Sequence, residues 1–371
     1  MKPIQKLQIP KTEGIKYAGS KLRLLPQILA LASKTGAKSV LDGFSGTTRV
    51  SQAFAQIGYR VVSNDAAVWS KVFATCYLKN TRPKKYYAGL IDHLNDLPGK
   101  EGWFTENYGG SPDDRSSARG DGLKKPFQIH NTKKLDAIRD EIEKLTNDET
   151  EKSVLLTSLI LALDKVDSTL GHHASYLKNW SPRSYKTLNL EVPRIFHSEK
   201  DHEVRHGDIF QTVGNVKTDL AYFDPPYGSN NEKMPPSRVR YAAYYHLWTS
   251  IVLGDKPETF GKAKRRTDTR DHTAASVFEE FRTDKRGDYI AVEALRKLIK
   301  QTNAAHILLS YSSGGRATAA NLFDILEESG KITDLIKMDY RRNIMASMCW
   351  TNDWIKQTEE PNIEFLFLIE K

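Results

Sequence analysis

The stretch that most constrains the fold is Leu220-Ala221-Tyr222-Phe223-Asp224-Pro225-Pro226-Tyr227. A short apolar run bounded by turn residues reads as a strand buried on both faces, as in a parallel sheet covered by helices. In open α/β sheets the carboxyl end of such a strand is where ligands bind. Here that end carries an acid, two prolines and an aromatic ring. Neither proline has an N–H, so the backbone offers carbonyls without competing donors.

The turn is thus an acceptor site, and a group with two N–H donors on a flat ring suits it. For the exocyclic amine of adenine, the Asp224 carboxylate and the Pro225 carbonyl can each accept one hydrogen. Pro226 fixes the turn, and the Tyr227 ring can stack on the base. Two acceptors in that geometry draw the amine nitrogen from planar towards tetrahedral and free its lone pair. The plain alternative is a Pro-Pro turn with a surface tyrosine; what lies upstream argues against it.

Upstream, Ser39-Val40-Leu41 reads as a strand, followed by Asp42-Gly43-Phe44-Ser45-Gly46-Thr47-Thr48 and a helix from Arg49 to Ile57. This is the strand, glycine turn and helix of a nucleotide-type βα unit. The glycines at 43, 46 and 58 do not give G-x-G-x-x-G, which argues against a nicotinamide dehydrogenase. The next strand, Arg60 to Ser63, ends in Asn64-Asp65, an acid about 20 residues after the turn, where such folds bind a ribose. Lys16-Tyr17-Ala18-Gly19-Ser20-Lys21 precedes an amphipathic helix; its backbone and Lys21 can hold a carboxylate. Glu203 to His206 forms a further strand, ending in Gly207-Asp208-Ile209-Phe210, where an acid and a backbone amide can read the edge of an adenine.

Between these strands the βα alternation stops. Leu135, Ile138, Ile142 and Leu145 recur at helical spacing and the apolar block Val154 to Val166 follows, so residues 71–202 read as a helical domain inserted into a sheet domain of residues 1–70 and 203–371. Glu106 to Lys125, rich in Gly, Ser, Asp and Arg, reads as a long mobile loop. Two segments mix basic and aromatic residues that can grip phosphates and stack on bases: one contains Lys178, Arg183 and Lys186, the other Tyr245, His246, Lys264, Arg265 and Arg266. The adjacent pair His172-His173 does not suit one metal ion, and no metal is expected. Downstream, a helix from Tyr289 to Gln301, a strand from Ala305 to Tyr311, a helix through Glu328 and a closing hairpin ending in Phe365 to Ile369 complete the expected sheet.

Net charge sharpens the partner class. A formal charge of +9 attracts polyanions, which makes nucleic acid the leading partner. Cys76 and Cys349 suggest neither a disulfide framework nor a zinc site, and a reducing cytoplasm fits. The start, Met-Lys-Pro-Ile-Gln-Lys, lacks the apolar run of a signal peptide, and Val154 to Leu163 is too short to span a bilayer.

Together these residues resemble the DNA adenine-N6 methyltransferases, in the group whose cofactor motifs precede the recognition region and whose Asp-Pro-Pro-Tyr follows it. The resemblance covers most of the chain. It implies a doubly wound, mostly parallel seven-stranded α/β sheet of the Rossmann-like methyltransferase kind, with an inserted helical recognition domain. It also implies S-adenosylmethionine as cofactor, double-stranded DNA as partner and, in a restriction-modification setting, a cognate endonuclease. On the matching positions it assigns catalysis to Asp224, Pro225, Pro226 and Tyr227. Cofactor binding falls to Tyr17, Gly19, Lys21, Asp42, Phe44, Ser45, Gly46, Thr47, Asp65, Asp208, Ile209 and Asp224. Tyr245-His246-Leu247-Trp248-Thr249 and Leu309-Ser310-Tyr311-Ser312-Ser313 resemble further family segments. The family's glycine loop often carries another Gly or Ala where this chain has Thr47-Thr48. An Asp in the first catalytic position goes with adenine. An RNA adenine methyltransferase and an inactive DNA-binding relative are the alternatives.

Overall fold

The computed structural model describes residues 9–111, 125–174, 177, 179–228, 240–270, 276–285, 287–339 and 363–371. Seven strands, β1 (Ser39–Asp42), β2 (Arg60–Asp65), β3 (Glu203–His206), β4 (Thr218–Phe223), β5 (Ala304–Ser312), β6 (Lys331–Asp339) and β7 (Ile363–Glu370), form one sheet in the order β6-β7-β5-β4-β1-β2-β3. Strands β5, β4, β1, β2 and β3 run parallel, while β7 is antiparallel to both β5 and β6.

The period of two along each strand explains why both faces are covered. Leu41, Val62, Ala221, Phe223, Ile307 and Leu309 point into one core, closed by the Ile290–Gln301 and Ala319–Glu327 helices. Their strand neighbours Val40, Val61, Leu220, Tyr222 and Leu308 point into the other, closed by the Leu25–Lys34 and Arg49–Gln56 helices. The order reverses between β1 and β4, so the carboxyl ends of these strands flank the crevice expected of a doubly wound sheet.

A third core is helical. It gathers the Lys84–Asp96, Trp103–Tyr108, Ile129–Leu145 and Glu149–Val166 helices around Tyr87, Phe104, Leu135, Ile138, Leu159 and Leu163. A half-buried lysine and a buried arginine cap helix carboxyl ends here, where orphan carbonyls concentrate negative charge. Lys134 Nζ donates to the Leu97 carbonyl at 2.6 Å, and Arg139 donates to the Ile251 and Val252 carbonyls at 2.5 and 3.0 Å.

The helical core reaches beyond the expected limits of residues 71–202. It takes in Trp69 from the helix that follows β2, and Leu247, Trp248 and Ile251 from the His246–Leu253 helix that follows the Pro-Pro turn. Both ends of the expected mobile loop are also ordered. Glu106 lies in the Trp103–Tyr108 helix and Lys125 is buried, donating to the Asn107 carbonyl at 3.1 Å. Residues 112–124 between them lie outside the described residues. No helix among the described residues is long and apolar enough to cross a membrane.

Candidate active site

Four parallel strands bring an acid to one edge of the sheet: Asp42 at the end of β1, Asp65 at the end of β2, Asp208 just past β3 and Asp224 just past β4. The glycine turn after β1 lies against them. A Cβ at Gly43 would stand 2.7 Å from the Phe223 ring, so only glycine lets the turn cross β4. Gly46 has φ +47° and donates its N–H to Asp65 Oδ2 at 2.7 Å, while Ala67 N–H donates to Oδ1 at 2.8 Å. Asp65 thereby ties the turn to β2. Thr48, at the position noted as a departure from the family pattern, holds φ +59°, a conformation rare for a β-branched residue.

The amino-terminal motif closes the site from above. Tyr17 stacks on Tyr245 with ring centroids 4.7 Å apart, and the Ala18 N–H donates to the Tyr245 hydroxyl at 2.7 Å. Of the residues assigned to the cofactor, all but Asp65, Asp208 and Ile209 line a single cleft of about 320 Å³, counting the space that opens to solvent. The other three sit beside it. The Gly207 N–H donates to the Asp65 carbonyl at 2.9 Å, Ile209 is buried, and exposed Asp208 accepts the Phe210 N–H at 2.9 Å.

One atom in the cleft asks for a ligand. Asp42 is buried and its Oδ2 accepts from the Ser51 hydroxyl at 2.6 Å, but its Oδ1 has no hydrogen-bond partner among the described residues. Burial, with Asp224 and Asp65 adding repulsion against the Ser51 hydrogen bond, pushes its carboxyl up to about 7. A buried acceptor without a donor beside a glycine turn fits the cationic amine of an amino-acid cofactor such as S-adenosylmethionine.

Asp224 stands at the lip of this cleft in a network that ties three parts of the chain together. Lys21 Nζ lies 2.9 Å from Asp224 Oδ1, 3.1 Å from Glu364 Oε1 on β7 and 2.9 Å from the Tyr227 hydroxyl. That hydroxyl reaches both Asp224 Oδ1 and, at 2.6 Å, Glu364 Oε1. Burial alone would lower Lys21, but the two carboxylates outweigh it and keep the ammonium charged. Burial raises Asp224 to about 6, with Lys21 pulling it down and Glu364 pushing it up. Among the described residues nothing donates to Asp224 Oδ2 or to the Pro225 carbonyl. The Tyr227 ring packs on Tyr311 at 4.6 Å, with its hydroxyl turned inward to the network. Glu364 and Ser310, which donates to Glu364 Oε1 at 2.8 Å, were given no role by the motifs. The available signal was an acid standing alone in the apolar run that ends the chain.

The residues expected to meet DNA divide into two groups. Lys186 is exposed, while Lys264 and Arg265 lie partly exposed on a short hairpin that pairs Thr259–Phe260 with Arg265–Arg266. Arg183 is half-buried and binds the Asp167 carboxylate at 2.6 Å and the Asp167 carbonyl at 2.7 Å. The other three are drawn inward, against expectation. Tyr245 and His246 are buried in the helical core, and Arg266 is enclosed by Asp255, at 2.7 and 2.8 Å, and by Asp268. The Tyr245 ring stacks on Tyr17 and the His246 ring packs against Tyr108 and His173, while the paired carboxylates balance the charge of Arg266. Lys178 lies outside the described residues. His172 stacks on Tyr244 at 4.4 Å, and no cluster of metal-ligating side chains occurs among the described residues.

A sheet of this order, with its glycine turn and an acceptor turn after β4, defines an α/β methyltransferase fold. The family profile described as D12 class N6 adenine-specific DNA methyltransferase matches residues 17–303, and the chain belongs to that family. It is similar to the modification methylase StsI of Streptococcus sanguinis, 32% identical over 349 residues that cover 88% of this chain and 48% of that protein. The Type II methyltransferase M.NlaIII of Neisseria lactamica is 30% identical over 337 residues, covering 88% of this chain and 91% of its own. The Type II methyltransferase M.FokI of Planomicrobium okeanokoites is 27% identical over 376 residues, covering 96% and 53%. The chain thus spans about half the length of StsI and M.FokI and most of M.NlaIII.

Proposed function

We propose that this chain transfers a methyl group from S-adenosylmethionine to the N6 amine of an adenine flipped out of duplex DNA. The observation that carries the reading is the state of the Asp224-Pro225 pair. Asp224, which lines the cleft, is anchored through Oδ1, and among the described residues neither its Oδ2 nor the carbonyl of the buried Pro225 beside it accepts a hydrogen bond, which leaves acceptors on two adjacent residues. An exocyclic amine has two N–H groups to give them.

Asp42 Oδ1 would take the cofactor's amine, Asp65 its ribose and the Asp208-Ile209 corner its adenine. Bound there, S-adenosylmethionine supplies an electrophilic methyl group on a sulfonium. The rest of catalysis is positioning. Asp224 Oδ2 and the Pro225 carbonyl hold the amine hydrogens and direct its lone pair into the cleft. Tyr227 lines the place of the base, and Asp224, ionised at neutral pH, can accept the proton that the amine sheds. The base leaves the stack at a cost of a few kcal/mol. Exposed Lys186, with Lys264 and Arg265 on the hairpin, would meet the phosphates.

The order along the chain, with cofactor turn first, helical region next and acceptor turn last, supports the group suggested by the sequence. Relatives named as Type II and modification methylases support a role in marking sites against a cognate endonuclease. The test is incorporation of label from methyl-labelled S-adenosylmethionine into duplex DNA. Label recovered as N6-methyladenine supports the reading, and label recovered in RNA alone overturns it.

A further inference from the structure

Glu364 is an unusual residue for its place. It opens the buried part of β7, ahead of the apolar run Phe365 to Ile369, and is 7% exposed. Such a carboxylate needs compensating partners. All its described contacts fall on Oε1, from Lys21 at 3.1 Å, Tyr227 at 2.6 Å and Ser310 at 2.8 Å.

The Tyr227 hydroxyl has a single proton. It accepts from Lys21 at 2.9 Å and has two carboxylates within reach, so it donates to Asp224 Oδ1 or to Glu364 Oε1, but not to both at once. When Glu364 takes that proton, Asp224 keeps Lys21 as its anchor and its electron density for the amine. Lys21, fixed between the two acids, cannot swing to Oδ2.

We propose that Glu364 is a positioning residue for methyl transfer, holding Lys21 and the Tyr227 hydroxyl so that Asp224 presents Oδ2 to the adenine amine. This inference rests on the methyltransferase reading above. Its reach is electrostatic as well as geometric. Asp224 is faced by Lys21 from the turn before the first helix, by Tyr227 and Tyr222 from its own strand and turn, by Asp42 from β1, by Tyr17 and Tyr241 across the cleft and by Glu364 from β7. The Glu364 charge raises the Asp224 carboxyl, so neutralising it lowers the pH at which Asp224 becomes ionised.

The experiment compares the full chain with Glu364→Gln, Ser310→Ala and Asp224→Ala. Single-turnover methylation of duplex DNA at saturating S-adenosylmethionine is followed across pH, with cofactor affinity and Tm measured in parallel. Glu364→Gln keeps the shape and an acceptor oxygen but loses the charge. The expected result is a methylation rate about tenfold lower at neutral pH, from weaker hydrogen bonds to Lys21 and Tyr227. The acid limb should move to lower pH, and cofactor affinity should stay within about threefold of the wild type, since Glu364 itself does not line the cleft. Ser310→Ala, which removes one support of Oε1, should lower the rate by a smaller factor, and it carries the test if Glu364→Gln does not fold. An unchanged rate and acid limb in the folded variants overturn the role of Glu364. If instead the wild type methylates no adenine, or Asp224→Ala remains active, the methyltransferase reading or its catalytic turn fails.

Discussion

Asp42 should make cofactor binding depend on pH in a way that one substitution removes. Its carboxyl is pushed up to about 7 by burial, and its Oδ1 has no hydrogen-bond partner among the described residues. A cationic amine placed there binds the ionised form, while the cofactor's own α-amine stays charged below about pH 7.7. From about pH 7 down to about pH 5.5 the ionised share of Asp42 falls from roughly one half to roughly one thirtieth, so affinity should fall by at least about 15-fold. Asp224, at about 6, titrates in the same window and adds to the slope. Asp42→Asn keeps an acceptor for Ser51 and removes the ionisation, leaving a dependence of no more than about fourfold from Asp224. Calorimetric titration with S-adenosylmethionine at the two pH values, on both proteins, reads the difference directly. A variant whose affinity falls as steeply as that of the wild type would refute the placement of the amine at Asp42.

Four further outcomes follow from where the charges lie. Asp42 and Glu279 both have carboxyls pushed up to about 7 by burial, so the folded chain binds protons that the unfolded chain releases. Without cofactor, urea stability should therefore fall as pH rises from about 6 to about 8, by about 1 kcal/mol for each group; stability that rises over this range would contradict the sign. Lys21→Met leaves Asp224 and Glu364 facing each other without their cation, which should cost about 3–5 kcal/mol of stability, as for other broken buried pairs, and abolish methylation near neutral pH; an active variant with an unchanged Tm would sink this. At the proposed DNA surface, Lys186→Ala should weaken binding and reduce the salt slope by about 1 without moving Tm. Arg266→Ala should lower Tm by stranding Asp255 and Asp268, so a salt-slope change with an unaltered Tm in that variant would return Arg266 to the DNA surface.

The sheet was legible because its strands are short apolar runs, each closed by turn residues. The apolar pattern of Val40-Leu41, Val61-Val62 and Leu220 to Phe223 places them inside a covered sheet, and their strand-end acids mark the crevice. The cofactor cleft was legible for a related reason: close approach of backbone demands glycine at Gly43, and a sequence displays that demand openly. Charge and aromaticity were poorer guides to exposure. Tyr245 and His246 belong to a helix whose rings fill the helical core, and Arg266 is satisfied by two nearby acids, so neither polarity nor position in a basic run put them on the surface. Glu364 stayed silent because its meaning depends on partners that only the fold supplies; Tyr227 is 137 positions away along the chain.

Asp224 and Pro225 are the proposed acceptors of an adenine amine. The most direct measurement incubates the wild type and Asp224→Ala with methyl-labelled S-adenosylmethionine and duplex DNA, then digests the DNA to nucleosides and identifies the labelled one. Label is expected in N6-methyladenine for the wild type and in no nucleoside for the variant. Label in a cytosine, or equal N6-methyladenine from both proteins, would contradict it.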